Sequence, residues 1–192
     1  MGNQITKSIQ RISKLNPSVS IKPIRVGVIG CGNISSQYFD NLVHQEKVQI
    51  SACSDINLMK AEQAALNHGI PTACTTDEIM KDPDIDLVIN LTLPLNHAEI
   101  SLNAITSGKH VYTEKPLAVN REDAEAILMA AQKNGVSVGS APDTFLGGGI
   151  QTCLSLLKEG AIGQPIGATA FMLNHGHEHW HPEPHFYYRK GG

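Results

Sequence analysis

The residues best suited to bind a ligand form a glycine-rich turn, Gly30-Cys31-Gly32, which follows an apolar run of strand length, Ile24–Ile29. Such a turn lets the backbone approach a pyrophosphate, whose charge is stabilised at the N-terminus of the next helix. Ser35 stands where the third glycine of the usual pattern is expected, and it is small enough to keep helix and strand close. The turn predicts a dinucleotide site, and on this motif alone a glycine-rich turn without special chemistry is the alternative.

A carboxylate, Asp55, follows the next predicted strand, residues 48–54, at about the 20-residue distance expected for the group that binds the adenosine ribose hydroxyls. A carboxylate there repels a 2′-phosphate, and no arginine follows in residues 56–59, so the sequence favours NAD over NADP. Lys60 keeps NADP open. Asp55 could also cap the helix that begins near Leu58, and the two roles can coexist.

Three further strand ends carry polar side chains, and ligands of open α/β sheets bind beyond the carboxyl ends of their strands. These groups are Thr92 and His97 around Pro94 after strand 86–92, Glu114 and Lys115 after strand 109–113, and Asp143 after strand 136–140. The Lys115 ammonium could hold a substrate hydroxyl or carbonyl oxygen and stabilise developing negative charge. Asp143 could bind substrate hydroxyls or cap the next turn, and His97 could equally be a structural histidine.

Strand and helix patterns alternate along the chain, which predicts an α/β fold with a doubly wound parallel sheet. The central strand 86–92 is apolar enough to be buried on both faces. The predicted strands are 24–30, 48–54, 70–74, 86–92, 109–113 and 136–140, and the predicted helices are 34–45, 58–68, 76–81, 96–107 and 121–134.

The chain divides into three predicted parts. Residues 1–21 form a basic extension, read as a short amphipathic helix that frays or packs on the domain or on a partner subunit, with an organellar transit peptide as the alternative. Residues 22–145 form the dinucleotide-binding Rossmann domain. Residues 146–192 begin a second α/β domain that is incomplete, with a helix closed by Gly160 and a strand over 165–173.

Composition excludes several classes of protein. The 192 residues carry a net charge of −3, which does not suggest a nucleic-acid-binding protein. No apolar stretch approaches the roughly 20 residues of a membrane span. The four cysteines are scattered and predict free thiols in a reducing compartment, and hence a cytoplasmic protein.

The region near the C-terminus is rich in histidine. The alternating members would lie on one face of an extended backbone; they are His175, His177, His179 and His181. Such pairs can bind zinc or nickel, but no cysteine is near and prolines bend the segment. The sequence therefore predicts no metal site here, and it favours a segment near the substrate pocket or a subunit interface, with His175 and His177 as candidate substrate-binding residues.

Five segments in this order resemble the Gfo/Idh/MocA oxidoreductases, a family named after glucose–fructose oxidoreductase, inositol dehydrogenase and rhizopine-catabolism proteins. They read VGVIGCGNIS, ACSDI, NLTLPLNHAE, YTEKPLA and GAIGQPI, and the resemblance spans residues 22–192. It implies oxidation or reduction of sugars, inositols and related polyols with NAD or NADP. It also implies an N-terminal Rossmann domain, a C-terminal α/β domain and, for the full-length protein, a homo-oligomer.

The resemblance implies a role for each matching residue. The pyrophosphate would contact Gly30, Gly32, Asn33 and Ile34, and the adenosine ribose would contact Asp55. The segment with Thr92, Pro94 and His97 would line the cofactor, and Glu114 would approach the nicotinamide ribose. Lys115 would be the catalytic residue that contacts the substrate. The bond before Pro116 is expected to be cis. One departure is Leu93, which stands between Thr92 and Pro94 where many members have Thr-Pro directly.

The family's other catalytic groups, an aspartate and a histidine four residues later, follow a glycine pair in the second domain. This chain ends on Gly191-Gly192, so the sequence predicts a truncated chain that binds a dinucleotide better than it turns over substrate. The alternatives are a non-catalytic dinucleotide-binding fragment or sensor, and a metal-binding tail.

Overall fold

Six parallel strands form one sheet in the computed structural model, which describes residues 22–176 and 184–188. They are β1 (Ile24–Ile29), β2 (Val48–Ser54), β3 (Thr72–Ala73), β4 (Leu87–Asn90), β5 (His110–Thr113) and β6 (Val138–Ser140). Their order across the sheet is β3-β2-β1-β4-β5-β6. This order reverses direction between β1 and β4, as in doubly wound sheets that bind a dinucleotide at the reversal, so the predicted fold class is confirmed.

Helices cover both faces of the sheet. They are α1 (Ser35–Leu42), α2 (Leu58–His68), α3 (Thr76–Lys81), α4 (His97–Thr106), α5 (Arg121–Asn134) and α6 (Gly148–Lys158), with 3₁₀ turns at Pro94–Asn96, Thr144–Leu146 and Pro184–Tyr188. One core contains Phe39 of α1 and Ala61 of α2. The other core contains Ile79 of α3, Ile105 of α4 and Ile127 of α5. The sheet is therefore apolar on both faces, which leaves its carboxyl edge as the place for polar chemistry.

The predicted helices agree closely with the structure because their caps are local. Helices 58–68, 76–81 and 121–134 have the predicted ends. The last of them stops at Gly135, whose φ of 67° is the left-handed conformation that glycine adopts without strain. The helix expected over 34–45 ends earlier, at Leu42, and the one expected over 96–107 begins with a 3₁₀ turn.

The strand predicted over 165–173 is wrong, since these residues have no regular secondary structure. A strand requires a neighbour to receive its backbone hydrogen bonds, and within the described residues this segment pairs with none. The side chains of Phe171, Met172 and Leu173 are exposed. The apolar alternation there is real, but without a partner it does not produce a strand.

The predicted helix in residues 1–21 and the histidines at 177, 179 and 181 lie outside the described residues. The predicted division of the chain into domains therefore stays a prediction. No helix in the described part is both long enough and apolar enough to cross a membrane.

Candidate functional site

The glycine-rich turn is shaped by the close approach of two strand ends. Gly30 has a φ of +102°, and a Cβ atom on it would lie 2.7 Å from the backbone carbonyl of Leu91, so no other residue fits without strain. The Gly30 N–H donates to the Ser54 carbonyl at 2.8 Å, which ties the turn to the end of β2. A Cβ on Gly32 would meet no atom within 4 Å. The space in front of Gly32 is thus open at the position where a pyrophosphate would lie.

Among the described residues, three backbone N–H groups beside that open space are unpaired. In the described part of the chain, the N–H groups of Gly32, Asn33 and Ile34 have no acceptor, and the N-terminus of α1 has no side-chain cap. The Ser35 hydroxyl donates to the Gly32 carbonyl at 2.7 Å, so this serine closes the turn in place of the third glycine. Free N–H groups at a helix N-terminus bind phosphate groups, and the turn therefore fits a dinucleotide pyrophosphate.

The thiol within the turn adds no charge. The neighbouring Cys53 thiol, followed by burial, raises the pKa of the Cys31 thiol, whose Sγ donates to the Ser54 carbonyl. The thiol therefore stays protonated at neutral pH. A neutral group beside the free N–H donors leaves the anion-binding character of the turn intact.

Asp55 is fixed across the turn by two backbone donors. Its Oδ2 accepts from the Cys31 N–H at 2.8 Å, and its Oδ1 accepts from the Asn57 N–H at 2.9 Å. Each oxygen keeps a lone pair for a further donor, such as a ribose hydroxyl. The alternative that Asp55 caps α2 is wrong, because Asn57 is the capping residue and accepts from Met59 N–H.

A cleft of about 370 Å³ opens beside Asp55. Its lining residues come from the ends of β2 and β3 and are Asp55, Ile56, Leu58, Thr75, Thr76 and Asp77. The residues that follow β3 are not among those predicted from the sequence. The signal was present, because Thr75 and Glu78 form a capping box that begins α3 immediately beyond a strand end.

A buried amide organises the end of β4, and sequence reasoning missed it. The Asn90 side chain is fully buried; its Oδ1 accepts from Thr92 Oγ1 at 2.7 Å, and its Nδ2 donates to the His97 carbonyl at 3.1 Å. His97 begins α4, and the side chain of Asn96 does not cap that helix. Pro94 begins the 3₁₀ turn between Thr92 and His97.

The structure places His97 differently from the prediction that it lines the cofactor. Its side chain is 1% exposed, so it presents no surface to a ligand in the cleft. Both ring nitrogens lie against backbone carbonyl oxygens. Its contribution to the site is therefore indirect.

The end of β5 carries Glu114 and Lys115 in a turn with a cis bond before Pro116, as the resemblance predicted. Glu114 Oε1 accepts from the Tyr38 hydroxyl at 2.8 Å, and Oε2 accepts from the Lys115 N–H at 2.9 Å. Burial and the Glu114 carboxylate raise the pKa of Tyr38, so its phenol stays protonated and donates. The Lys115 side chain is exposed and free to meet a substrate.

Three residues are predicted to contact the substrate, namely Asp143, His175 and His177. Asp143 is exposed and its side chain caps no helix, although its charge helps to raise the pKa of Tyr38 and Tyr112. His175 is exposed, and His177 is not described. Within the described residues, no group of three His, Cys, Asp or Glu side chains is arranged to hold a metal ion.

Comparison with known proteins gives a consistent result. The profile of the GFO_IDH_MocA family, described as an oxidoreductase family with an NAD-binding Rossmann fold, matches residues 24–141. The chain is 31% identical over 148 residues to 1,5-anhydro-D-fructose reductase from Ensifer adhaerens, covering 77% of this chain and 44% of the relative. It is 30% identical over 149 residues to inositol 2-dehydrogenase from Ralstonia nicotianae, covering 74% of this chain and 44% of that enzyme.

A solved structure agrees. The crystal structure of an NAD-binding oxidoreductase from Klebsiella pneumoniae aligns with a TM-score of 0.69 at 27% identity, over 75% of this chain and 41% of the other. This chain therefore spans less than half the length of the relatives that it matches. Since the family profile covers more than half of the chain, we conclude that the chain belongs to the Gfo/Idh/MocA family of oxidoreductases and carries its NAD-binding Rossmann domain.

Proposed function

We propose that this chain is the cofactor-binding half of an NAD-dependent dehydrogenase that acts on a sugar, an inositol or a related polyol. The observation that carries the proposal is the pairing of two features at one strand reversal. The free N–H groups of residues 32–34 suit a pyrophosphate, and the Asp55 carboxylate beside them suits a ribose. The names of the two enzyme relatives support the substrate class.

Bound NAD would accept or donate the hydride at nicotinamide C4. The chain's own contribution is to hold the two ends of the dinucleotide and to present one charged group to the substrate. The turn at Gly30–Ile34 would hold the pyrophosphate, and Asp55 with the cleft beside it would hold the adenosine. The segment from Thr92 to Pro94 and the Glu114 carboxylate would bound the nicotinamide ribose.

Lys115 is the candidate catalytic residue. Its side chain is exposed beyond the carboxyl end of β5, and its backbone N–H donates to the Glu114 carboxylate. There its ammonium would bind the substrate oxygen and stabilise the negative charge that develops on that oxygen when the hydroxyl loses its proton, before hydride leaves the carbinol carbon, or when a carbonyl carbon accepts hydride. Asp143 and His175 remain candidate substrate contacts, and a homo-oligomeric full-length enzyme remains part of the proposal.

The Asp55 carboxylate favours NAD over NADP because it would repel a 2′-phosphate. Its two oxygens are held by the Cys31 and Asn57 N–H groups, so the carboxylate cannot turn away from a 2′-phosphate without losing both hydrogen bonds. Lys60 is the basic residue that could offset this repulsion.

Fluorescence titration with NADH and NADPH tests the cofactor assignment. We expect wild-type chain to bind NADH more tightly than NADPH by about tenfold or more, as a like-charge contact would cause. Asp55→Asn should narrow that difference. Lys60→Met is the matched control and should leave NADH affinity unchanged. Equal affinity for both dinucleotides would contradict the preference, and failure to bind either one would contradict the function itself.

A further inference from the structure

His97 lies between two loops that the sequence keeps apart. Its Nδ1 is 2.6 Å from the carbonyl oxygen of Pro116, and its Nε2 is 2.9 Å from the carbonyl oxygen of Thr92. Carbonyl oxygens only accept hydrogen bonds, so a neutral ring, which has one N–H, donates to one of the two loops and lies in contact with the other, and a protonated ring donates to both. One imidazole ring thus joins the turn that carries Lys115 to the loop that leaves β4.

The burial of this ring makes the connection strong. His97 is 1% exposed, so its ring has almost no contact with solvent, whereas Pro116 is exposed and Thr92 is half-buried. A buried polar ring is costly unless it is hydrogen-bonded, and the carbonyl oxygens of Pro116 and Thr92 are the partners that the ring has here. The two loops are therefore held at a fixed separation.

The ring itself sits on a rigid base. The His97 carbonyl accepts from Asn90 Nδ2, and the same amide nitrogen lies 3.2 Å from the Ser101 hydroxyl within α4. The Asn90 Oδ1 accepts from both the N–H and the hydroxyl of Thr92. The Thr92 loop and the His97 backbone are thus held by the same buried side chain, and only Pro116 belongs to a separate loop.

We infer that His97 is a positioning residue that holds the Lys115 turn against the Thr92 loop and so sets the geometry of the proposed nicotinamide site. This inference rests on the proposed dinucleotide function. The ring does not touch the ligand. Because the pyrophosphate turn and the Asp55 cleft make none of these contacts, a change at His97 should affect the nicotinamide end and spare the adenosine end.

Amide replacements separate the two hydrogen bonds. In His97→Asn the side-chain nitrogen falls near the position of Nδ1 and can still donate to Pro116. In His97→Gln it falls near Nε2 and can donate to Thr92 instead. His97→Leu keeps much of the bulk and removes both ring nitrogens.

The first measurement compares affinities for NADH and ADP, because ADP lacks the nicotinamide end. We expect His97→Leu to weaken NADH binding by about tenfold and to leave ADP binding within about twofold of wild type. We expect His97→Asn to recover most of the NADH affinity and His97→Gln to recover less of it, since the Pro116 bond is the one that holds the Lys115 turn. Equal losses for NADH and ADP, or no loss in His97→Leu, would overturn the inference.

The second measurement needs no ligand, so it stands even if the proposed function fails. Amide hydrogen exchange should become faster at residues 113–117 in His97→Leu, should return toward wild type in His97→Asn, and should stay unchanged at residues 30–34. Unchanged exchange at residues 113–117 in His97→Leu would overturn the positioning role. Wild-type chain that binds neither NADH nor ADP would contradict the proposed function alone.

Discussion

Gly30 and Gly32 stand two positions apart in the same turn, but a side chain would meet different surroundings at each. At Gly30 a Cβ atom would collide with the Leu91 carbonyl, and the φ of +102° disfavours any residue with a side chain. At Gly32 a Cβ atom would meet open space. The first glycine is therefore required by the fold, whereas no contact within the described residues requires the second.

The two glycines can be tested as a matched pair. Gly30→Ala should lower the free energy of unfolding by about 2–4 kcal/mol, because it combines backbone strain with a backbone clash. Gly32→Ala should change that free energy by less than about 0.5 kcal/mol while weakening NADH binding by about tenfold or more. Urea unfolding and NADH titration measure the two effects. Undiminished NADH binding in Gly32→Ala would show that the pyrophosphate does not approach this turn.

At the scale of elements, Tyr38 joins α1 to the end of β5. Its hydroxyl donates to Glu114, and its ring contacts that of Tyr112 with centroids 6.4 Å apart. Tyr38→Phe keeps the ring and removes the donor, so at pH 8 it should lower the free energy of unfolding by about 1 kcal/mol.

The pH dependence of this loss has a definite sign. The pKa of Tyr38 in the folded state lies above its ordinary value of 10.0. At pH values between these two pKa values, the unfolded chain therefore loses a proton that the folded chain keeps. The stabilisation is therefore complete below pH 10 and is lost as pH rises above it. Urea unfolding from pH 8 to 11 should show the gap between wild type and Tyr38→Phe closing. In a Glu114→Gln background, Tyr38→Phe should lower the free energy of unfolding by a smaller amount at every pH tested. An equal loss in that background would show that Glu114 is not the partner of the Tyr38 hydroxyl.

These contacts also explain which parts of the site the sequence could predict. The glycine turn, Asp55 and the Glu114-Lys115 pair each follow a strand directly, so strand periodicity was enough to locate them. Tyr38 and Glu114 lie 76 positions apart, and only the strand order β1-β4-β5 brings them together. The strand expected over 165–173 failed for the same reason, since strands depend on distant partners and local patterns cannot supply one.

At the scale of the whole molecule, the carboxyl ends and the amino ends of the strands carry polar groups with different roles. The carboxyl edge carries the glycine turn, Asp55 and Lys115. The opposite edge carries polar groups that bind other parts of the chain, such as Arg25, which pairs with Asp84 at 2.8 Å. Lys109 there is buried and donates to the carbonyl oxygens of Asp82 and Ile85. Burial lowers the pKa of Lys109, as expected for a structural lysine without a carboxylate bonded to it.

The exposure of helix α6 predicts how much of the chain the Rossmann domain needs in order to fold. Helix α6 has no buried residue, and its side chains Ile150, Leu154 and Leu157 are exposed, so it adds nothing to either core. A chain that ends at Gly147 should therefore keep its melting temperature within about 2 °C and its NADH affinity. A chain that ends at Asn134 is the matched control, because it also loses β6, which pairs with β5 and packs Val138 on the core. That control should melt at least about 10 °C lower or fail to fold. If calorimetry shows similar losses for both truncations, α6 contributes to the core and the independence of the Rossmann domain is wrong.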